Sequence, residues 1–283
     1  MYQYQLDKSS KKHLCPACGQ RRFVRIVDIN TGELCEAEFG RCDREQSCGY
    51  IRFPSKVMDP HLNDKVPKQV QQVYAPPSFI PQTYYNDSMK LMERNTLFKY
   101  LISEYDDSMV RQTCALYGMG SNPFAPAETV FWQIDAQGHA RTAEIIQYLR
   151  NGKRDRVRHP NWMHSILQKR GLIKDFRLEQ VAYGAQLLGA HKGKVAVVEG
   201  AKTAIVCALK YPEYLWLGTQ GVHGLNGKIL STLNPAQTIL VPDAGFEDKW
   251  RNKSMHQFQI MNISQFVEKG EDLADCCSTD TLQ

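Results

Sequence analysis

The sequence predicts an α/β protein whose C-terminal part is a parallel sheet with flanking helices, and three observations support this. Residues 195–198 and 239–241 are short, unbroken aliphatic runs, which are typical of strands buried on both faces. Each run ends close to an acid, Glu199 after the first and Asp243 after the second. Strand-like and helical windows alternate over residues 191–283, the pattern of a small doubly wound sheet.

Composition narrows the class of protein. The chain has 283 residues, a formal net charge of +5 and 42% hydrophobic residues, as an ordinary globular protein of two or more domains would have. No apolar run approaches the ~20 residues of a membrane span, and the N-terminus lacks the apolar segment of a secretory signal. The nine cysteines are odd in number and partly clustered, which favours metal ligation over disulfides. We therefore expect a cytoplasmic protein with no membrane partner.

Residues 1–53 predict a structural zinc ribbon. Two cysteine pairs flank a stretch that alternates like a hairpin with its turn at residues 30–32. The pairs consist of Cys15, Cys18, Cys42 and Cys48. Four thiolates suit the tetrahedral preference of zinc and leave no open position for catalysis. Cys35, expected in mid-strand, and His13 are weaker candidates as ligands, and free buried cysteines are the alternative to a metal site.

The next two segments differ sharply in character. Residues 54–83 carry six prolines without periodicity, which predicts a semi-rigid linker. Residues 84–190 predict a mixed α+β segment. It begins with a helix over residues 89–105 and a second helix capped by Asp107 and stopped by Gly118. A hairpin over residues 128–149, turning at residues 135–138, follows.

This middle segment is rich in basic and aromatic side chains, as a surface for single-stranded nucleic acid requires. The candidate nucleic-acid-binding residues are Arg141, Lys153, Arg154, Arg156, Arg158, Trp132, Trp162 and, further along the chain, Lys202. A solvated basic face is the alternative for the charges. Trp132 fits a base-stacking platform and the core equally well, whereas Tyr148 favours the core.

Several acids follow the predicted strands on one side of the sheet. They are Glu199, Asp243, Asp272 and Asp275, with Glu247 in the helix after Asp243. Carboxylates of this kind hold magnesium or manganese, which organises phosphoryl transfer. The glycine-rich loop over residues 218–227 lets backbone amides approach a phosphate, although it lacks the pattern of an ATPase P-loop. Helix N-capping is the structural alternative for Asp243 and Asp272.

The order of these motifs resembles the Toprim domain of bacterial primases, topoisomerases and some nucleases. The motifs are VVEGAKTA with the glutamate, LGTQGVHG with the glycines, LVPDAG with the aspartate and EDLAD with later acids. The resemblance implies a general acid or base role for Glu199 and metal binding by Asp243. The chain departs from the pattern at Gly245, where the family has a second aspartate.

With the zinc ribbon in front, the chain resembles bacterial and phage-type primases, and nearly all of it resembles uncharacterised Toprim-like proteins of mobile elements and prophages. This implies metal-dependent nucleotidyl transfer on a single-stranded DNA template. RNA as the template, a Toprim nuclease and a non-catalytic nucleic-acid-binding protein stay open as alternatives. The sequence has no helicase motor, so any unwinding would need a separate helicase as partner.

Overall fold

The computed structural model describes residues 3–44, 48–54, 76–221, 223–264, 267–268 and 272–276. Residues 275 and 276 are described by their backbone alone. The chain divides into two compact units, residues 1–74 and 75–283. Most of the predicted linker, residues 55–75, lies outside the described residues. Among the residues that are described, no helix has the length and apolar character needed to cross a bilayer.

The first unit is an antiparallel sheet with its four strands in sequential order. They are β1 (Tyr4–Leu6), β2 (Phe23–Asp28), β3 (Gly40–Cys42) and β4 (Ile51–Arg52). The N–H of Gly32 donates to the carbonyl of Asp28 at 2.8 Å, which confirms the predicted hairpin turn. After the turn, Leu34 forms an isolated bridge to Val27, and β3 begins only at Gly40. The prediction that Cys35 lies in mid-strand is therefore wrong.

Three helices open the second unit: α1 (Gln82–Lys90), α2 (Thr96–Glu104) and α3 (Asp107–Tyr117). The single helix predicted over residues 89–105 is wrong because Asn95 interrupts it as the cap of α2. The Asn95 side chain accepts the N–H of Phe98 at 3.1 Å and donates to the carbonyl of Gly120 at 2.7 Å. Asp106 caps α3 in place of the predicted Asp107, and α3 ends before Gly118 as predicted.

An antiparallel sheet follows, with strands β5 (Met119–Asn122), β6 (Ala125–Ile134), β7 (Ala140–Ile146) and β8 (Asn161–Trp162) in sequential order. β6 and β7 form the predicted hairpin. One sheet face carries Val130 and Trp132, which pack with Ile80 and with α4 (Met163–Lys169). Ile80 also donates its N–H to the carbonyl of Ala140 at 2.8 Å, so the end of the predicted linker packs on this sheet.

The C-terminal part contains the predicted parallel sheet. Its strands are β9 (Lys194–Val198), β10 (Tyr214–Gly218), β11 (Thr238–Val241) and β12 (Gln259–Ile260), in the order β10-β9-β11-β12. The helices are α5 (Ala201–Lys210), α6 (Gly227–Leu230), α7 (Glu247–Lys253) and α8 (Leu273–Cys276). Because β9 has a parallel partner on each side, it is buried from Val195 onwards, which explains its unbroken apolar sequence.

One continuous core joins the two sheets of the second unit. It includes Phe131 and Tyr148 from the antiparallel side and reaches β9, β10 and β11 through Tyr183. The N–H of Tyr183 donates to the carbonyl of Gly218 at 2.8 Å, at the C-terminal end of β10. Gln133, at the end of β6, donates to Gln220 in the loop after β10 at 2.7 Å. The antiparallel hairpin is thereby fixed beside the C-terminal edge of the parallel sheet.

Candidate functional site

Four sulfur atoms meet at one point in the first unit. The Sγ atoms of Cys15, Cys18, Cys42 and Cys48 all lie within 4.8 Å of one another. The Cys15–Cys48 pair is separated by 3.7 Å and the Cys18–Cys42 pair by 3.9 Å. A tetrahedron with zinc–sulfur bonds of about 2.3 Å has edges of about 3.8 Å, so the sulfur positions fit a zinc ion.

Local backbone bonds arrange these ligands. The N–H of Gly19 donates to the carbonyl of Cys15 at 2.9 Å and closes the first knuckle, while Cys48 is tied to the carbonyl of Arg44 at 2.8 Å. Cys35 and His13 lie outside the four-sulfur group. Because four sulfurs complete the zinc coordination, the site serves structure and offers no position to a substrate.

A second candidate site lies at the C-terminal edge of the parallel sheet. Val198 of β9 and Val241 of β11 are partners in register, so the residues that follow them emerge side by side. Glu199 is 5% exposed, and its Oε1 accepts the N–H of Asp243 at 3.3 Å. Burial raises the pKa of Glu199 to about 7, against the lowering effect of the Asp243 N–H. The structure thus brings the two predicted catalytic residues together.

The other predicted acids are engaged in different ways. Asp272 accepts the hydroxyl of Thr203 at 2.6 Å and the N–H of Ala274 at 2.8 Å, so it caps α8 as the structural alternative had it. Its charge also raises the pKa of Glu199. Partial burial is the largest influence on the pKa of Glu247 and raises it, but hydrogen bonds from the Ser264 hydroxyl and from the backbone N–H groups of Glu247 and Gly245 together lower it. The side chain of Asp275 lies outside the described residues.

Gly245 stands where the Toprim resemblance implies a second aspartate. Its backbone has a φ of +85°, in the left-handed region that favours glycine, and its N–H donates to Ser264 Oγ at 3.2 Å. The turn is thus bonded to the loop after β12, and its backbone shape suits glycine.

Two lysines that the sequence reading did not single out stand beside the acid pair. The charges of Lys249 and Lys253 on α7 both lower the pKa of Glu199. Lys253 Nζ donates to the carbonyl of Leu225 at 3.0 Å, and Lys249 Nζ lies 3.4 Å from Nε2 of His223, so both face the glycine-rich loop. The available signal was that the two lysines are four residues apart in the helix that follows the aspartate motif, so they share one helix face.

Two of the predicted nucleic-acid-binding residues are committed to packing. Trp132 is fully buried, and its Nε1 donates to Ser88 Oγ at 2.7 Å, so the base-stacking prediction for Trp132 is wrong. Arg141 donates to Asp135 at 2.8 Å and covers the ring of Phe79 at 4.5 Å, with a side chain that is only 12% exposed. This ion pair stabilises the hairpin turn, and nucleic-acid binding by Arg141 stays a prediction.

The remaining candidates lie toward solvent. Lys153, Arg154, Arg156 and Arg158 are exposed, and Trp162 and Lys202 are half-buried. The charge of Arg154 acts on Glu144 of β7 and on Tyr148, whereas Asp272 acts on Tyr148 and Glu199. Tyr148 itself is buried, as the core prediction had it.

Glu144 is a further titratable group that the sequence reading missed. Burial raises its pKa to about 7, and the nearby charge of Arg154 opposes that rise. It is paired across the sheet with Phe131 and Trp162, on the face that adjoins the parallel sheet. An acid inside an alternating apolar strand was the available signal, because a charge on a covered face is costly.

A comparison with known protein families identifies the N-terminal segment. Residues 2–63 match the family of zinc beta-ribbon fingers, which together with the four-sulfur geometry confirms the predicted zinc ribbon. No curated protein matches the chain significantly.

Among solved structures, primase domains resemble this chain only distantly. The primase fragment of the bacteriophage T7 primase-helicase is 13% identical with a TM-score of 0.39, over 59% of this chain and 65% of that one. The DnaG primase catalytic domain bound to single-stranded DNA is 12% identical with a TM-score of 0.43, over 70% and 74%. A DNA primase domain from Pseudomonas aeruginosa is 10% identical with a TM-score of 0.31, over 62% and 57%. The chain thus spans just under two thirds of the T7 fragment.

One family covers the centre of the chain. Its description is a domain of unknown function, DUF6371, and its match runs over residues 95–244. This is more than half of the chain, and it extends from the cap of α2 to the residue after Asp243, with Glu199 inside it. The chain therefore belongs to the DUF6371 family.

Proposed function

We propose that the second unit is a Toprim-like catalytic domain that transfers nucleotides on a single-stranded DNA template, as a primase does. The observation that carries this proposal is the meeting of Glu199 and Asp243 at the ends of two neighbouring parallel strands. In open parallel sheets, the carboxyl ends of the strands are where ligands bind. The glycine-rich loop and the α7 lysines border the same edge.

The residues present fit a divalent cation of the hard type. Glu199 is a buried carboxyl whose pKa of about 7 reflects poor solvation of its charge, and a cation would relieve this. Asp243 would be the main ligand, with Asp272, Asp275 and Glu247 as further candidates. Bound magnesium or manganese would neutralise charge that develops on the reacting phosphate.

The chain itself supplies the proton chemistry. A carboxyl with a pKa near 7 is suited to accept a proton from an attacking hydroxyl and to release it later, which is the role we assign to Glu199. The backbone N–H of Asp243 orients the Glu199 carboxyl toward the neighbouring strand end. This bond ties the base to the loop that carries Asp243.

The template contacts belong to the exposed basic turn and to the zinc ribbon in this proposal. Lys153, Arg154, Arg156 and Arg158 would pair with phosphates, and the half-exposed ring of Trp162 would stack on a base. Lys202, in the first turn of α5 after Glu199, is the remaining phosphate contact. A separate helicase would supply any unwinding, and RNA is the alternative template.

A non-catalytic nucleic-acid-binding protein, of a mobile element or prophage, is the second candidate. The observation that favours it is the engagement of the supporting acids: Asp272 caps α8, Glu247 bonds Ser264 and Gly245 has no carboxylate. A Toprim nuclease would use the same acid pair as the polymerising enzyme. A primase needs added nucleoside triphosphates to form products, a nuclease cleaves without them, and a non-catalytic protein shows no turnover in either case.

The test is to incubate the full chain with single-stranded DNA, nucleoside triphosphates and Mg²⁺ or Mn²⁺ and to look for short products. We expect products in the wild type and a loss of about 100-fold or more in Glu199→Gln, because removing a general base has effects of this size. Glu213→Gln, an exposed acid at the opposite strand ends, is the matched control and should keep activity.

Product formation that is unaffected by Glu199→Gln would contradict the proposal. Cleavage of the DNA without added nucleotides would assign the site to a nuclease instead. Full-strength binding with no turnover in either metal would identify the non-catalytic protein.

A further inference from the structure

Lys249 and Lys253 stand four residues apart on α7 and so share one face of the helix. Like charges at this spacing repel each other. Here both ammonium groups are nevertheless held against the same loop, Lys253 by the carbonyl of Leu225 and Lys249 by the ring of His223. The structure therefore concentrates two positive charges at one point instead of dispersing them into water.

The position of these charges is set by the acid pair and the glycine-rich loop. α7 begins four residues after Asp243, whose N–H is bonded to Glu199, and the loop that both lysines contact follows β10. The lysine pair therefore borders the edge of the sheet where the strands end. Between His223 and Leu225, a Cβ atom on Gly224 would lie 1.6 Å from the carbonyl oxygen of Thr219. A side chain cannot fit there, so the loop is folded closely on itself between the two residues that contact the lysines.

The two lysines form a partly desolvated pair of like charges. Lys253 is half-buried, and burial followed by the charge of Lys249 lowers its pKa. A partly desolvated pair of cations is stabilised by an anion with several acceptor oxygens, and phosphate is such a group.

We propose that Lys249 and Lys253 bind a phosphate group at the Glu199 site, supplying positive charge where Gly245 removes a cation-binding aspartate. This inference rests on the proposed function, because it names the group that the same site receives. The phosphate belongs either to the triphosphate of a nucleotide or to the backbone of single-stranded nucleic acid. Both sources present charged phosphate oxygens, but a nucleotide carries a single base and sugar, whereas the nucleic-acid backbone carries a chain of linked nucleotides.

The test measures binding by fluorescence anisotropy with two probes, a fluorescent ATP analogue and a labelled oligothymidine, using the full zinc-loaded chain. Lys249→Met and Lys253→Met should each weaken binding of at least one probe by about 10-fold or more, since each removes a charge-assisted contact. For the oligothymidine, the slope of log affinity against log salt should fall by about 0.7 for each lysine removed.

Three controls keep the result interpretable. Lys192→Met removes an exposed lysine ahead of β9, at the opposite end of that strand, and should bind as the wild type does. Lys253→Arg keeps the charge and should retain most of the binding, which separates charge from packing. Thermal unfolding of each variant reports whether the fold is intact.

The outcomes separate this inference from the proposed function. Loss for the ATP analogue alone assigns a nucleotide, loss for the oligothymidine alone assigns the backbone, and either result supports the lysine pair. Unchanged affinity for both probes and an unchanged salt slope in folded Lys249→Met and Lys253→Met would overturn it, even if the wild type makes products. If products are absent but the lysine variants lose binding, the phosphate site stands and the catalytic proposal fails.

Discussion

The two units of this chain hold themselves together by different means. In the zinc ribbon, the buried cluster at the metal site consists of Phe23 and the two ligands Cys15 and Cys42, so the metal ligands form most of that cluster. In the second unit, a continuous apolar core extends from α2 to α8, and the acid pair lies at its edge. One site is the centre of its unit, whereas the other is placed on a scaffold that folds without it.

This difference has an energetic consequence. Four thiolates around zinc supply the free energy of folding that a small core lacks. A buried carboxyl such as Glu199 does the opposite, because its desolvation opposes folding whenever it is ionised. The metal site of the ribbon should therefore stabilise its unit, and the acid site should destabilise the scaffold that carries it.

The largest expected effect is on the ribbon. Cys42→Ser should abolish zinc binding and unfold the first unit, because structural zinc contributes about 10–16 kcal/mol in small fingers. Zinc content and the chemical shifts of the ribbon measure this, with one zinc per chain expected in the wild type. Cys35→Ser, outside the four-sulfur group, is the control and should keep its zinc. A Cys42→Ser variant whose ribbon is folded without zinc would show that the first unit does not depend on its metal site for stability.

The second effect concerns the core of the second unit. Trp132→Ala should lower the free energy of unfolding by about 3–5 kcal/mol, because it empties a fully buried site and removes the bond to Ser88. Zinc content should not change. Trp162→Ala is the matched variant: it should cost less stability and weaken oligonucleotide binding by about 1–3 kcal/mol if its ring stacks on a base.

Urea unfolding and oligonucleotide titration of both tryptophan variants provide the measurements. Equal losses of stability at the two positions would show that the described burial does not govern their roles. Loss of oligonucleotide binding in a stable Trp132→Ala would restore the stacking interpretation that the structure rejects.

The smallest effect is a gain in stability. The pKa of Glu199 is raised to about 7 in the folded chain from an ordinary 4.5, so between these pH values the folded state keeps a proton that the unfolded state releases. Stability from this group therefore falls as pH rises from 4.5 to 7. Glu199→Gln should be more stable than the wild type by about 1–2 kcal/mol above pH 7, after discounting for solvent screening.

Urea unfolding at pH 5 and pH 8, without added divalent cations, measures this gain. The difference between variant and wild type should be smaller at pH 5, and the titration of Glu144 cancels because both proteins contain it. Glu213→Gln should show no such pH dependence, as an exposed acid. A gain of equal size at both pH values would show that desolvation of the Glu199 charge is not its cause.

Much of the zinc ribbon and the parallel sheet could be predicted from the sequence because their signals are local. The cysteine spacing specifies four ligands, and the aliphatic runs of β9 and β11 specify buried strands that end at Glu199 and Asp243. Parallel pairing then brings their carboxyl ends to one edge without further information.

Other features depend on contacts between distant residues, which a single sequence does not record. Trp132 lies in a basic, aromatic stretch, and only the packing of α1 against the hairpin, with Ser88 as partner, makes it a core residue. The sequence alone does not show that Arg141 forms an ion pair, because the hairpin turn is what brings Asp135 next to it. The two lysines of α7 become part of the candidate site only through their contacts with the loop after β10, which lies more than twenty residues earlier in the chain.

Gly245 also bears on how this site can be altered by design. A side chain at a φ of +85° is strained, and the N–H of this residue is bonded to Ser264, so Gly245→Asp would not simply return the aspartate of the primase pattern. The same turn leads into α7, which carries the two lysines at the glycine-rich loop. A redesign of the acid site therefore has to treat the turn at Gly245 and the position of α7 together.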